Sequence, residues 1–159
     1  MKNKIPQVEL RFLQAGKLHG FQGESSAQTF RKDLPALSMR YHSVLQSSPG
    51  KLLPLYVVTR DHDPATGKLT LFFGGNTANE ALEDIDMPAG VYARMVLRPK
   101  YGLFWGKAIE EAKRWFYGEW LPQSKFSPLN LEFEHHSDRT TGKQPTLELF
   151  FALRKKEET

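Results

Sequence analysis

The sequence predicts a single α+β domain made of two consecutive βαββ units. They join into one mostly antiparallel sheet of about eight strands, with both helices on one side and a pseudo-twofold axis between the halves. Three observations carry this reading. The stretch TGKLTLFF, starting at Thr66, returns as TGKQPTLELFF, starting at Thr141. Each copy is preceded, in the same order, by an alternating run, a run at helical spacing and a second alternating run. The chain has 159 residues, 40% hydrophobic and 12% aromatic, enough for one domain of ordinary size or two small repeats sharing a core.

The first unit spans about residues 6–75. From Val8 to Phe21 the chain is extended, with Val8, Leu10 and Phe12 alternating with Gln7, Glu9 and Arg11. Ser25 or Ser26 offers an N-cap for a helix carrying Phe30, Leu34, Leu37, Tyr41, Val44 and Leu45 at helical spacing; Pro35 requires that helix to restart or bend. Leu55 to Arg60 alternates again, DHDPATG turns the chain, and KLTLFF returns as the hairpin partner. The acidic NTANEALEDIDMPAG reads as a connector.

The second unit spans about residues 88–154. Val91, Ala93, Met95 and Leu97 alternate with Tyr92, Arg94, Val96 and Arg98, and YGLFWGKAIEEAKRWFYGEWLP places Phe104, Ala108, Ala112, Trp115 or Phe116, and Trp120 on one helical stripe that Pro122 stops. Leu129, Leu131, Phe133 and His135 alternate with Asn130, Glu132, Glu134 and His136; SDRTTGKQP is the turn and TLELFFAL the last strand. By period two, Leu69, Leu71 and Phe73 face the helices with Leu147, Leu149 and Phe151, while Thr70 and Phe72 face away with Glu148 and Phe150.

A sheet face without helices is expected to be mainly polar, yet Phe72, Phe150, Tyr92 and Tyr56 fall on it. Such a surface meets a partner or forms a ligand cleft. A carboxylate among aromatic rings suits an organic cation, because ring faces and the carboxylate both attract positive charge. For Glu148 two readings stand side by side: a ligand anchor, or an exposed residue on an edge strand.

Composition excludes several chemistries. There are no cysteines, hence no disulfide, thiolate nucleophile or sulfur-bound zinc. The net charge of +4 is spread along the chain, so weak, salt-dependent binding to duplex DNA is the expectation. No run reaches a membrane-spanning length and MKNKIPQVELRF lacks an apolar signal core, so a cytoplasmic location is expected. ATGK and TTGK lack the preceding glycine and following helix of a phosphate-binding loop. Asp61, His62 and Asp63, or His135 and His136, do not have metal-ligand spacing, and neither a metal nor a cofactor is expected.

The phrases LPALSMRY, PLYVVTRDHDPATGKLTLFFGG, MPAGVYARM, EEAKRWFYGEWLPQSKF and LELFFAL, in this order over about residues 20–153, resemble the GyrI-like effector-binding domains, found alone or attached to AraC- and MerR-type regulators. The resemblance implies a ligand groove at the pseudo-twofold and binding of lipophilic cations by aromatic rings and a glutamate on the last strand. Glu148 matches that glutamate and Tyr92 a groove aromatic, and Trp105, Trp115 and Trp120 lie on the second helix, where the family has tryptophans. Ser38 departs from the pattern, standing where members commonly carry tryptophan, which widens the groove or shifts the ligand class.

The expected function is a stand-alone binding domain for a small hydrophobic, cationic molecule, regulatory or sequestering. The first strand begins within about ten residues of Met1, which leaves no room before it for a helix-turn-helix module. Two alternatives belong to other classes: a hydrolase of reactive small molecules with Glu148 as general base, and a protein-binding inhibitor of the DNA gyrase inhibitor type; a protein partner or a homodimer is compatible with each reading.

Overall fold

The computed structural model describes residues 6–46, 54–98, 105–137 and 145–157. In chain order the elements are β1 (Glu9–Leu13), β2 (Gly16–Ser26), α1 (Phe30–Leu45), β3 (Leu55–Arg60), β4 (Lys68–Gly75), β5 (Glu83–Met87), β6 (Gly90–Leu97) and α2 (Trp105–Trp115). A π-helical turn (Phe116–Trp120), the short α3 (Leu121–Gln123), β7 (Phe126–His136) and β8 (Leu147–Lys155) complete the fold. The eight strands form one antiparallel sheet in the order β1-β6-β8-β7-β3-β4-β2-β5, curled into a half-barrel. The second TGK triplet and Phe104 lie outside the described residues.

The hairpins β3–β4 and β7–β8 stand on either side of the sheet's midline, where Val58 pairs with Phe133. Val58 pairs outward with Phe72, and Phe133 pairs outward with Phe150. Thr70, opposite Arg60, therefore occupies the place in one half that Glu148, opposite His135, occupies in the other.

Three differences from the sequence reading have physical causes. The extended run at the start is two strands: β1 pairs with β6 at one edge of the sheet, and β2 pairs with β4 and β5 at the other. The connector contains a strand, β5, where Ile85 is buried beneath an otherwise acidic sequence. α1 runs unbroken through Pro35 from an N-cap at Thr29, while Ser25 and Thr29 hydroxyls both donate to Asp33 Oδ2, at 2.7 Å each.

β1 continues into β2 and β5 into β6 without a change of register. Leu13 lies opposite Gly90, and Gly16 opposite Met87, an advance of three residues on both strands. A single two-stranded ribbon thus runs from one edge of the sheet to the other, drawing the edges together. Pro88, which has no N–H to give a ladder, occupies the gap.

The curl makes two kinds of core. On the convex side α1 packs on β2 and β4 over Phe21, Leu71 and Phe73, and α2 with its extension packs over Met95, Leu149 and Phe151. On the concave side Phe72, Phe133, Phe150 and Tyr92 close on one another around Val58. The helix carrying Trp115 and Trp120 changes to π geometry just before Pro122, whose missing N–H and ring bulk are incompatible with an unbroken α ladder.

Candidate functional site

On the concave face the predicted residues separate. Phe72 and Phe150 are 1% and 8% exposed and belong to the packed core, Phe150 stacked on Phe133 at 4.7 Å. Tyr56 and Tyr92 line a cavity of 260 Å³ at one end of that core. Tyr92 donates its hydroxyl to Pro88 O at 2.8 Å. Trp105 and Trp120 start and follow α2; Trp120 is on the helix side, stacked on Phe116 at 5.2 Å, with the sheet between it and the concave cavity. Ser38 is half-buried on α1, and its carbonyl accepts from His42 Nδ1 at 2.8 Å.

Glu148 shares the concave face but is not a bare carboxylate. His135 Nδ1 donates to its Oε1 at 2.7 Å, and Arg94 Nε donates to its Oε2. Arg94 also reaches Glu9 Oε2 at 3.1 Å, and Glu9 is paired with Arg11. Two carboxylates thus face two guanidinium groups, and the network is neutral when His135 is neutral. In the other half Thr70 replaces the carboxylate, and the cation there, Arg60, donates to the Gln22 amide oxygen at 2.6 Å. The glutamate at 148 therefore has a partner the first half lacks.

Burial pushes the Glu148 carboxyl upward, but hydrogen bonds from His135 and Arg94 outweigh it, and the group sits below its ordinary value of 4.5. A depressed carboxyl stabilises the fold above the unfolded value; that contribution disappears as the pH falls through the folded one. Arg94→Gln is therefore expected to unfold in acid at a higher pH than the parent, and Arg94→Gln with Glu148→Gln to return toward it. Far-UV circular dichroism along an acid titration checks this, and an unmoved midpoint in the single variant contradicts it.

The convex side holds a second polar cluster, built on the polar positions of β7. Glu134 lies opposite Val57 and Leu149, and Glu132 opposite Thr59 and Phe151, so both point to the helix side. There they lie in the seam between α1, seated over β2 and β4, and α2, seated over β6. Glu134 is only 7% exposed, and its Oε1 accepts from His136 Nε2 at 3.0 Å. Lys113 Nζ is 2.8 Å from Glu132 Oε1, and the Tyr117 hydroxyl donates to Glu132 Oε2 at 2.7 Å. Burial, with Glu132 adding to it, drives the Tyr117 hydroxyl far up; burial lowers Lys113, but Glu132 and Glu134 more than offset that. Among the described residues two carboxylates meet one ammonium, leaving one negative charge when His136 is neutral. The signal for this cluster was present in LEFEHH: strands at the centre of a two-helix layer lie under the gap between the helices, so their helix-side residues are neither core nor open surface.

Among the described residues no group of three histidine, aspartate or glutamate side chains is arranged to hold a metal ion. No described helix is long and apolar enough to cross a membrane.

No family model matches the chain, and no curated protein does. Solved structures share its fold. A protein of Staphylococcus aureus MU50, proposed to act in bacterial transcription regulation, superposes with a TM-score of 0.68 at 14% identity, over 93% of this chain and 98% of that one. The C-terminal domain of EcmrR gives 0.58 at 14% identity, over 96% and 100%. SAV2435, solved with tetraphenylphosphonium bound, gives 0.67 at 13% identity, over 93% and 94%; at these identities the likeness establishes a common fold.

Proposed function

We propose that this chain is a small-molecule binding domain for hydrophobic cations, and that the cation sits in the seam between α1 and α2 with Glu134 as its counter-charge. The observation that carries the reading is a carboxylate 7% exposed in a cluster that, among the described residues and with His136 neutral, holds one more negative than positive charge. A buried charge without full compensation is costly to the empty protein, and a cationic ligand relieves that cost. Tyr117, whose hydroxyl is on the neighbouring Glu132, supplies an aromatic surface in the same cluster. The Glu148 network is already neutral and gives a cation less to gain. The resemblance to GyrI-like domains and the lipophilic cation bound by SAV2435, which shares the fold, point to the same ligand class.

Glu134→Gln keeps the shape and removes the charge. A hydrogen bond to a charged group contributes roughly 1.5 to 3 kcal/mol, so tetraphenylphosphonium affinity is expected to fall by about 10 to 100 fold, with little change for neutral triphenylphosphine oxide. Isothermal titration of both compounds against the parent, Glu134→Gln and Glu148→Gln decides it. A loss confined to Glu148→Gln moves the anchor to the carboxylate singled out by the sequence. Equal affinities in all three proteins, or no binding to the parent, defeat the cation reading.

A further inference from the structure

His42, on α1, is 7% exposed. Its Nδ1 lies 2.8 Å from Ser38 O, a carbonyl that can only accept, so Nδ1 carries the hydrogen and Nε2 of the neutral ring is a bare lone pair. Nε2 is buried and, among the described residues, has no hydrogen-bond partner. Buried polar groups ordinarily have one, and leaving an acceptor unpaired in the interior is costly.

Helix geometry aims this nitrogen at the seam. Each residue of α1 turns by about 100°, so His42 projects roughly 200° round the helix from Arg40. The Arg40 guanidinium carbon stands 4.1 Å from the centre of the Phe21 ring, on β2. Tyr41, between them, packs into one cluster with Leu55 and Val57 of β3, and those two residues lie opposite His136 and Glu134. His42 thus looks away from β2, across β3 and toward the Glu134 cluster.

We propose that His42 Nε2 is a second anchor in the seam and that the cation bound there is an N–H ammonium, a protonated primary or secondary amine on an aromatic body. The proposal rests on the cation reading above and narrows it. A neutral alcohol or amide can donate to Nε2 but leaves the negative charge of the cluster unmet. A fully substituted cation meets the charge and leaves Nε2 bare. An ammonium satisfies both, with one N–H for the Glu134 carboxylate and another for His42. Nε2 is covered in the empty protein, so the ligand enters by parting the seam.

The probes are 1-naphthylmethylamine, protonated at neutral pH, and its N-trimethyl derivative, which has the same ring and charge but no N–H. Isothermal titration is expected to show the parent binding the amine at least tenfold more tightly, the size of one hydrogen bond to a charged group. His42→Leu should erase that preference and leave the trimethyl compound unchanged. His42→Gln, whose amide oxygen lies about as far along the side chain as Nε2, should keep part of it. If His42→Leu fails to fold, the parent itself decides: with isotopically labelled histidine, the His42 Nε2 resonance should move upfield with the amine and stay in place with the trimethyl compound. Equal affinity of the parent for both probes, a preference that survives in His42→Leu, or an unmoved Nε2 resonance overturns the proposal. In each of those cases the cation reading still stands if Glu134→Gln weakens both probes alike. Dependence on His42 with no loss in Glu134→Gln upholds the acceptor and removes Glu134 as the counter-charge. Failure of both probes to bind the parent overturns the proposal, and the tetraphenylphosphonium titration then decides the cation reading by itself.

Discussion

Replacing Phe116 by alanine is expected to destabilise the domain by about 3 to 5 kcal/mol, the range for deleting a buried aromatic side chain. Phe116 has no exposed surface and stacks on Phe151 at 3.9 Å and 12°, with Trp120 at 5.2 Å and Tyr117 edge-on at 5.2 Å. With Tyr117, edge-on to Phe151 at 5.5 Å, it ties the π-helical turn to β8. The hole would be walled by rigid rings that cannot collapse into it, which favours the upper end of the range. Thermal unfolding should show Tm lower by roughly 10 °C. Phe12→Ala, at a ring 70% exposed on β1, is the control and should stay within about 0.5 kcal/mol of the parent. A Phe116 variant as stable as that control contradicts the described packing.

The second large effect is expected at Gly74. Gly20 and Gly74 face each other across β2 and β4, and a Cβ on Gly74 falls 2.2 Å from His19 O and 2.7 Å from the tip of the Phe72 ring. A Cβ on Gly20 falls 2.0 Å from Phe73 O. Backbone is the obstacle, so no rotamer change relieves the clash, and the two strands must separate at this pair. Gly74→Ala is expected to cost about 3 kcal/mol, the upper end for overpacking. Gly23→Ala on the same strand, where a Cβ meets nothing within 4 Å, should cost nothing or stabilise slightly. Urea unfolding of the pair measures the difference; equal midpoints would show that the close approach at Gly74 is not required by the fold.

What the sequence disclosed, and what it withheld, follows from the reach of a period-two pattern. LTLFF and LELFF each told which residues share a face, and Leu71 and Leu149 do face helices while Phe72 and Phe150 face away. The pattern carries no information on curvature. Phe72 and Phe150 read as an open aromatic surface, yet both are buried in one cluster with Val58 and Phe133. The strand in EDIDM escaped notice because only Ile85 and Met87 turn inward from an edge otherwise rich in acid. Glu134 escaped for a different reason: alternation put it on the polar side of β7, and only the spacing of the two helices turns that side into an interior seam. Glu148 stood out by alternation, but its partners come from β6 and β7, at positions that no local pattern connects.

The ribbon linking β1–β2 to β5–β6 also sets when the domain can fold. β1 has no partner within its own half, since Glu9 waits for Arg94, 85 positions later. β2 in turn keeps an open edge until residues 83–87 exist. During synthesis, which releases the chain from its beginning, α1 and the first hairpin can assemble early, but the sheet holding them stays incomplete until most of β6 has emerged. Each closure pays the loop entropy of a long excursion before its hydrogen bonds are gained, which places the ribbon late in folding and makes it slow. The two halves, however alike in element order, are therefore expected to reach the native state together, as one kinetic unit rather than one after the other.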